Sequence, residues 1–147
     1  MRVILGADHG GFEIKEKLVT FLEEKNYVVE DMGAYQQSGD DDYVDYAKKA
    51  MLEMGESDRG LLLCRNGLGM CIVANKFKGV RCGLGFGLQG VRKGRIDDDI
   101  NVLAIPVDYV SFEAIKEMVE IFLKTDASLE EKYVRRVKKI IELEQKW

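Results

Sequence analysis

The fold of this chain is decided by the stretch Gly60-Leu61-Leu62-Leu63-Cys64-Arg65-Asn66-Gly67-Leu68-Gly69-Met70. Its first half is a short, continuous apolar run, which is typical of a parallel strand buried on both faces. Its second half predicts a glycine-containing loop that opens a helix over residues 68–77. A strand followed at once by a helix indicates an α/β fold.

The thiol of Cys64 is predicted to lie at the junction between this strand and this helix. Backbone N–H groups at the positive end of a helix lower the pKa of a nearby cysteine. Gly67 and Gly69 let the backbone approach a ligand closely and supply N–H groups that could hold an oxyanion. The alternative interpretation is a structural cysteine beside a glycine turn, because free cysteines are often core residues.

Strand and helix patterns alternate on both sides of this stretch. Residues 85–94, which contain four glycines, are predicted to be a loop. The whole pattern predicts one domain over residues 1–147, a three-layer, doubly wound, five-stranded parallel sheet of the Rossmann type with an extra C-terminal helix. The predicted strands are 3–5, 27–29, 60–64, 80–84 and 101–105, and the predicted helices follow Gly11, cover 43–54 and 68–77, follow Ser111, and start near Ser128.

Composition narrows the functional classes. The chain of 147 residues is 46% hydrophobic and 33% charged, which is ordinary for a soluble globular protein. A net charge of −4 argues against non-specific nucleic-acid binding, and the absence of a long apolar run argues against a membrane span. One histidine and three cysteines without a CxxC motif argue against a zinc site. With no signal-peptide pattern before the first strand, we expect a cytoplasmic protein with reduced thiols.

Ligands of open α/β sheets bind beyond the carboxyl ends of the strands. Asp8-His9-Gly10-Gly11 follows the first strand, so His9 is predicted to lie at the same edge as Cys64. A lone histidine is more often structural than functional. Its position between an aspartate and two glycines at the end of a strand favours a function here.

Several segments, in order along the chain, resemble the ribose-5-phosphate isomerase B and galactose-6-phosphate isomerase family. The resemblance implies the same doubly wound fold and an aldose–ketose isomerase that acts on ribose 5-phosphate or a related pentose or hexose phosphate through an enediolate. It also implies no metal or cofactor, and a homodimer or dimer of dimers with a shared active site. The matching segments are Gly6-Ala7-Asp8-His9-Gly10-Gly11-Phe12-Glu13-Ile14-Lys15, Asp42-Tyr43, Tyr46-Ala47, the Cys64 loop up to Ala74-Asn75-Lys76, Gly79-Val80-Arg81 and Asn101-Val102-Leu103.

The resemblance also assigns roles to single residues. Cys64 would be the base that transfers the proton, and the N–H groups of Gly67 and Gly69 would hold the enediolate. Asp8 would accept hydrogen bonds from sugar hydroxyls, and His9 would meet the substrate or its phosphate. The remaining positions are Tyr43 and Asn101, which would line the pocket with Asn101 from the other subunit, and Arg136, which would reach phosphate across the dimer.

The chain departs from the family pattern at four places. Arg65 and Asn66 replace the Gly and Thr of Cys-Gly-Thr-Gly, and asparagine cannot relay a proton as a hydroxyl does. Asp97 stands where the family has its ring-opening histidine, Asp108 where it often has a phosphate-binding arginine, and Lys132 where it has an arginine. Arg65 is therefore a candidate for a relocated phosphate ligand. Arg92, Lys93 and Arg95 are further candidates for this phosphate ligand. The alternative is that they form a solvated helix face.

Other functions remain open. The lost histidine and arginine favour a non-catalytic or heteromeric subunit that binds sugar phosphate, or an isomerase of a different sugar. A flavodoxin-type nucleotide-binding module is disfavoured because no Gly-x-Gly-x-x-Gly follows the first strand and no Walker motif occurs. The apolar faces of the last two helices, with Trp147, predict at least a homodimer. Cys71 and Cys82 are expected to be packing residues.

Overall fold

A computed structural model describes residues 1–37 and 39–144 of the chain, so the expectation for Trp147 lies outside the described residues. The sheet has five parallel strands in the order β2-β1-β3-β5-β4, which confirms the predicted doubly wound architecture. No helix of the described ranges is long and apolar enough to cross a bilayer. The elements are β1 (Arg2–Ala7), α1 (Phe12–Glu24), β2 (Val28–Asp31), α2 (Tyr43–Glu53), β3 (Arg59–Cys64), α3 (Leu68–Ala74), β4 (Cys82–Leu84), α4 (Leu88–Asp98), β5 (Val102–Pro106), α5 (Phe112–Lys124) and α6 (Glu131–Glu144).

Two apolar cores hold the helices on the two faces of the sheet. Side chains of α1, α4 and α5 pack on one face, and those of α2 and α3 pack on the other. The alternation of side chains along each strand explains this division: Leu61 and Leu63 face the first core, whereas Leu62 faces the second. Helix α6 has no buried residue. It packs against α4, and Glu144 near its end accepts a hydrogen bond from the N–H of Gly79, so the apolar residues of α6 remain partly exposed.

The prediction of a loop over residues 85–94 is wrong, because Leu88–Asp98 forms helix α4. Only Val91 and Arg95 of this helix are buried, so its sequence shows no apolar stripe with helical spacing. The helix predicted over residues 68–77 is shorter than expected. It ends at Ala74, and the following backbone N–H groups form tight turns instead of continuing the helix.

Arg95 is a structural residue, contrary to both interpretations offered for it. Its side chain is 2% exposed and donates hydrogen bonds to the carbonyl oxygens of Thr125 and Ile100 and to the carboxylate of Asp99. It therefore joins the end of α4 to the segment after α5. The interpretation as a solvated helix face is correct for Arg92 and Lys93, which are exposed.

The fold places the ends of β1 and β3 side by side at a topological switch point. From β1 the chain continues to β2, which lies toward one edge of the sheet. From β3 it continues to β4 and β5, which lie toward the other edge. Ala7 pairs with Leu63 in parallel register, so Asp8 and Cys64 follow next to each other. Crevices at such points are the usual ligand sites of open α/β sheets.

Candidate active site

A cavity of about 250 Å³ opens at the carboxyl ends of β1 and β3. Larger grooves lie beside α6, but they contain neither a cysteine nor a histidine. Among residues 1–37 and 39–144, no group of histidine, cysteine and acidic side chains could hold a metal ion. The residues that line the cavity are Asp8, Tyr43, Cys64, Arg65, Asn66 and Gly69.

The Cys64 thiol lies at the end of β3 and is 5% exposed. Burial raises the pKa of this thiol, and the backbone N–H groups of Met70 and Gly67 oppose the rise. The expectation of a lowered pKa is therefore wrong, because loss of water at the strand end outweighs the helix start. The N–H groups still point to the place where negative charge would develop on or beside the sulfur. Met70 is a donor that the sequence did not single out.

The loop after Cys64 has a backbone that requires glycine at two positions. Gly67 adopts a left-handed conformation with φ of 72°, which side chains disfavour. A Cβ atom on Gly69 would lie 2.7 Å from the ring of Tyr43. The side chain of Asn66 accepts a hydrogen bond from the N–H of Leu68 at 3.0 Å. The Oδ1 atom of Asn66 is therefore engaged within the loop, whereas its amide NH₂ can donate a hydrogen bond to a ligand.

Asp8 presents a buried carboxyl group to the cavity. Its side chain is held by a hydrogen bond of 3.0 Å from the N–H of Gly11 to Oδ1, and the residue is 7% exposed. Burial raises the pKa of this carboxyl, and the Gly11 N–H partly offsets the effect. The second carboxyl oxygen is free to accept a hydrogen bond from a ligand.

His9 is held by Asp41, a residue that sequence reasoning missed. The backbone N–H of His9 donates to Asp41 Oδ2 at 2.9 Å, and Nδ1 lies 2.5 Å from Asp41 Oδ1. The imidazole is 30% exposed, whereas the Asp41 side chain is 9% exposed. Asp41 is the middle one of three consecutive aspartates in a segment without periodicity, so no signal in the sequence distinguished it from its neighbours.

Arg65 is the one cation among the described residues that line the cavity. Its guanidinium Nη1 lies 3.4 Å from Asp108 Oδ2, and the two side chains are 65% and 44% exposed. The backbone N–H of Asp108 also donates to the carbonyl of Arg65 at 3.1 Å. The loops after β3 and β5 are therefore joined at the rim of the cavity by both backbone and side chains.

Asn101 lies at the opposite edge of the sheet from Cys64. Cys64 pairs with Pro106 at the carboxyl end of β5, and five residues of strand, about 16 Å, separate Pro106 from Asn101. The Asn101 side chain accepts from the N–H of Arg81 and donates to the carbonyl of Gly79, each at 2.8 Å. Within one protomer this side chain braces the chain before β4 and does not reach the cavity.

Asp97, Lys132 and Arg136 lie along the contact between α4 and α6, away from the cavity. Asp97 forms an ion pair with Lys93 at 3.1 Å. Lys132 pairs with Glu130 at 3.1 Å, and both Lys132 and Arg136 lie over the ring of Tyr133. One protomer thus brings together the residues predicted near Cys64, but not the four predicted positions at the other edge.

Comparisons with known proteins identify the family of this chain. A sequence model described as Ribose/Galactose Isomerase matches residues 3–140. The chain is 34% identical over 148 residues to the putative sugar phosphate isomerase YwlF of Bacillus subtilis, covering 99% of each chain. It is 36% identical to ribose-5-phosphate isomerase B of Escherichia coli, covering 83% of each. The structure of ribose-5-phosphate isomerase B from Mycoplasma genitalium with bound ribulose-5-phosphate is 30% identical, with a TM-score of 0.91 over 99% of this chain and 97% of that one.

Proposed function

The chain belongs to the ribose/galactose isomerase family, and from this premise we propose that it interconverts an aldose and a ketose that carry a phosphate group. Ribose 5-phosphate with ribulose 5-phosphate is the first candidate pair, and a related pentose or hexose phosphate is the next. The observation that carries this proposal is the Cys64 thiol at the switch point, facing the backbone N–H groups of Gly67 and Met70.

Isomerisation requires a proton to move between two adjacent carbons. In the proposed mechanism Cys64, as thiolate, removes the proton from the carbon next to the carbonyl group, and an enediolate forms. N–H groups of the loop from Asn66 to Met70 hold the charge that develops on oxygen. The hydroxyl proton on that carbon then passes to the former carbonyl oxygen, and the Cys64 thiol returns the first proton to the former carbonyl carbon. The sugar therefore gains and loses no proton overall. Asp8 accepts hydrogen bonds from sugar hydroxyls and fixes the position of the chain.

We assign the binding of the substrate's phosphate to Arg65. A guanidinium and a phosphate form charge-assisted, often bidentate hydrogen bonds, which favour an anionic sugar over a neutral one. Asp108, which forms an ion pair with the Arg65 guanidinium in the free protein, would compete with the phosphate for it. Because both side chains are largely exposed, their mutual attraction is weak and a dianion would displace the carboxylate.

A second copy of the chain would bring the distant candidate residues to the cavity. The carboxyl edge exposes Leu68, Phe86 and Tyr109, which are 53%, 74% and 78% exposed. Helix α6, beside Asp97 at the other edge, exposes Val134 and Ile141. Apolar side chains on both edges support a homodimer in which the edge with Asn101 and Arg136 of one protomer faces the cavity of the other.

A coupled assay with ribose 5-phosphate and hexose 6-phosphates tests the proposed reaction. We expect Cys64→Ala to lower kcat by about 10²–10⁴-fold, the usual contribution of a general base, while the circular dichroism spectrum is retained. Cys71→Ser, a thiol outside the cavity, serves as the matched control. A folded Cys64→Ala protein with full activity would contradict the assignment. Binding of sugar phosphate without turnover by the native protein would favour the non-catalytic subunit.

A further inference from the structure

We propose that His9, oriented by Asp41, is the acid–base group that opens the cyclic form of the sugar before Cys64 acts on it. This inference rests on the proposed isomerase function and adds a second chemical step to the same cavity. In water the hemiacetal ring hides the carbonyl of a pentose phosphate, so the ring has to open before the enediolate can form. A second proton-transfer group is therefore required beside Cys64.

The two contacts with Asp41 fix the orientation of the His9 ring. One carboxylate oxygen accepts from the backbone N–H and the other lies against Nδ1. Because an ionised carboxylate accepts hydrogen bonds and does not donate them, the neutral imidazole carries its proton on Nδ1. Nε2, at the far side of the ring, then has a free lone pair and can accept a proton from a ligand.

Two observations place this pair beside the Cys64 cavity. The charges of both His9 and Asp41 act on the pKa of Asp8, which lines the cavity. Gly10, the residue after His9, is packed so closely on the next loop that a Cβ atom there would lie 2.7 Å from Arg65 Cγ. The His9 loop and the Cys64 loop therefore touch at the rim of the cavity, where the imidazole is partly exposed.

The step is balanced without any co-reactant. Nε2 accepts the proton of the anomeric hydroxyl while the bond between C1 and the ring oxygen breaks and the C1 carbonyl forms. The imidazolium then gives the proton to the ring oxygen, which becomes a hydroxyl, and neutral His9 is restored. Imidazole is suited to this exchange because it gains and loses a proton near neutral pH. The described residues that line the cavity itself offer a carboxyl, a phenol, a thiol, a guanidinium and an amide, but no imidazole.

Two reactions of the same protein separate ring opening from proton transfer at carbon. Ribose 5-phosphate closes to a furanose, whereas ribulose 5-phosphate cannot, because the oxygen that would close the ring is phosphorylated. Conversion of ribose 5-phosphate therefore needs both steps. Exchange of the C1 hydrogen of ribulose 5-phosphate with D₂O, followed by NMR, needs only the step assigned to Cys64.

The decisive variant is His9→Asn, which can still donate to Asp41 but has no group at the position of Nε2. We expect kcat for ribose 5-phosphate to fall by about 10²-fold relative to the rate of deuterium exchange. Asp41→Asn, which frees the ring to rotate, should change the ratio in the same direction by a smaller factor. Cys64→Ala is the matched control, because it should slow both reactions by a similar factor and leave their ratio unchanged.

A parallel loss of both reactions in His9→Asn would overturn the ring-opening role and leave His9 as a binding residue. Full conversion of ribose 5-phosphate by a folded His9→Asn protein would overturn it as well. Failure of the isomerase function has a different signature, since the native protein would then catalyse neither reaction. A native protein that exchanges ribulose 5-phosphate but does not convert ribose 5-phosphate would also refute the role of His9, because ring opening would be missing.

Discussion

The guanidinium of Arg65 lies 3.4 Å from the carboxylate of Asp108, at the rim of the cavity that holds Cys64. The two residues also share a backbone hydrogen bond between the loops after β3 and β5. An exposed pair of this kind contributes about 0–1 kcal/mol to stability. The pair therefore holds a cation at the cavity in the free protein and releases it to an incoming anion at little cost.

This relationship predicts opposite effects of two substitutions on phosphate recognition. Asp108→Asn removes the competing carboxylate, so we expect a lower KM for phosphorylated sugars. Arg65→Gly should raise that KM by about tenfold or more, because a charged hydrogen bond to phosphate contributes about 1.5–3 kcal/mol. Steady-state kinetics with a phosphorylated sugar and its unphosphorylated counterpart measure the effect.

The unphosphorylated sugar is the control for this pair of variants, since its KM should change little in either. Asp108→Asn and Arg65→Gly variants that both keep the native KM for sugar phosphate would contradict the assignment of Arg65. A rise in KM for both sugars alike in Arg65→Gly would point to a distorted loop rather than a lost anion contact.

The fold could be predicted because strands and helices in this chain have distinct patterns. The apolar run that ends at Cys64 is buried on both faces, and helix α5, predicted to follow Ser111, buries an apolar stripe of Ile115, Met118, Val119 and Phe122. Helix α4 could not be predicted, because Arg95 takes the place of an apolar core residue and its guanidinium is satisfied by backbone carbonyls far away in sequence.

The candidate site was predictable in position but not in its contacts. The rule that ligands bind at carboxyl ends of strands leads to Asp8 and Cys64, which the register places side by side. His9 contacts Asp41, which is 32 positions away in the sequence and lies outside the helices and strands. The sign of the pKa shift of Cys64 depends on the depth of burial, which a local sequence pattern does not reveal.

The three thiols should differ in reactivity in an order that the sequence did not suggest. Contact with the Cys82 thiol and a weaker contact with Asn75 lower the pKa of Cys71, although burial opposes the shift. Burial raises the pKa of Cys64. At neutral pH we therefore expect iodoacetamide to modify Cys71 before Cys64, as measured by peptide mass spectrometry over time. Cys71→Ser should remove the fast phase, and faster labelling of Cys64 in the native protein would contradict the prediction.

Stability toward acid should depend on Asp58, which joins the start of β1 to the turn before β3. Burial raises the pKa of Asp58, but hydrogen bonds from Arg2 and from the N–H of Gly55 outweigh burial and hold this pKa at about 2. A carboxyl with a lowered pKa stabilises the fold above the unfolded-state value of 3.8, and this contribution disappears as the pH falls through about 2.

We therefore expect Asp58→Asn to lower the free energy of unfolding at pH 7. Each pKa unit corresponds to about 1.4 kcal/mol. Because Arg2 is about one third exposed and solvent screens its charge, we expect the free energy of unfolding to fall by only about 1 kcal/mol. Urea unfolding at pH 7, 4 and 2 provides the measurement, and the native protein and the variant should become equally stable at the lowest pH. A difference that is constant over this range would mean that the charge of Asp58 is not involved.

The proposed sharing of the active site between two copies leads to a prediction about mixtures of two defective proteins. If Cys64 acts with Arg136 of a second copy, Cys64→Ala and Arg136→Ala should each be inactive alone. After subunit exchange, a mixed dimer has one site with both substitutions and one site with neither. Random pairing should then restore about one quarter of the native activity, because half of the dimers are mixed and each contains one intact site. A mixture that exchanges subunits, as shown by native mass spectrometry, but stays inactive would show that Cys64 of one copy does not act with Arg136 of the other.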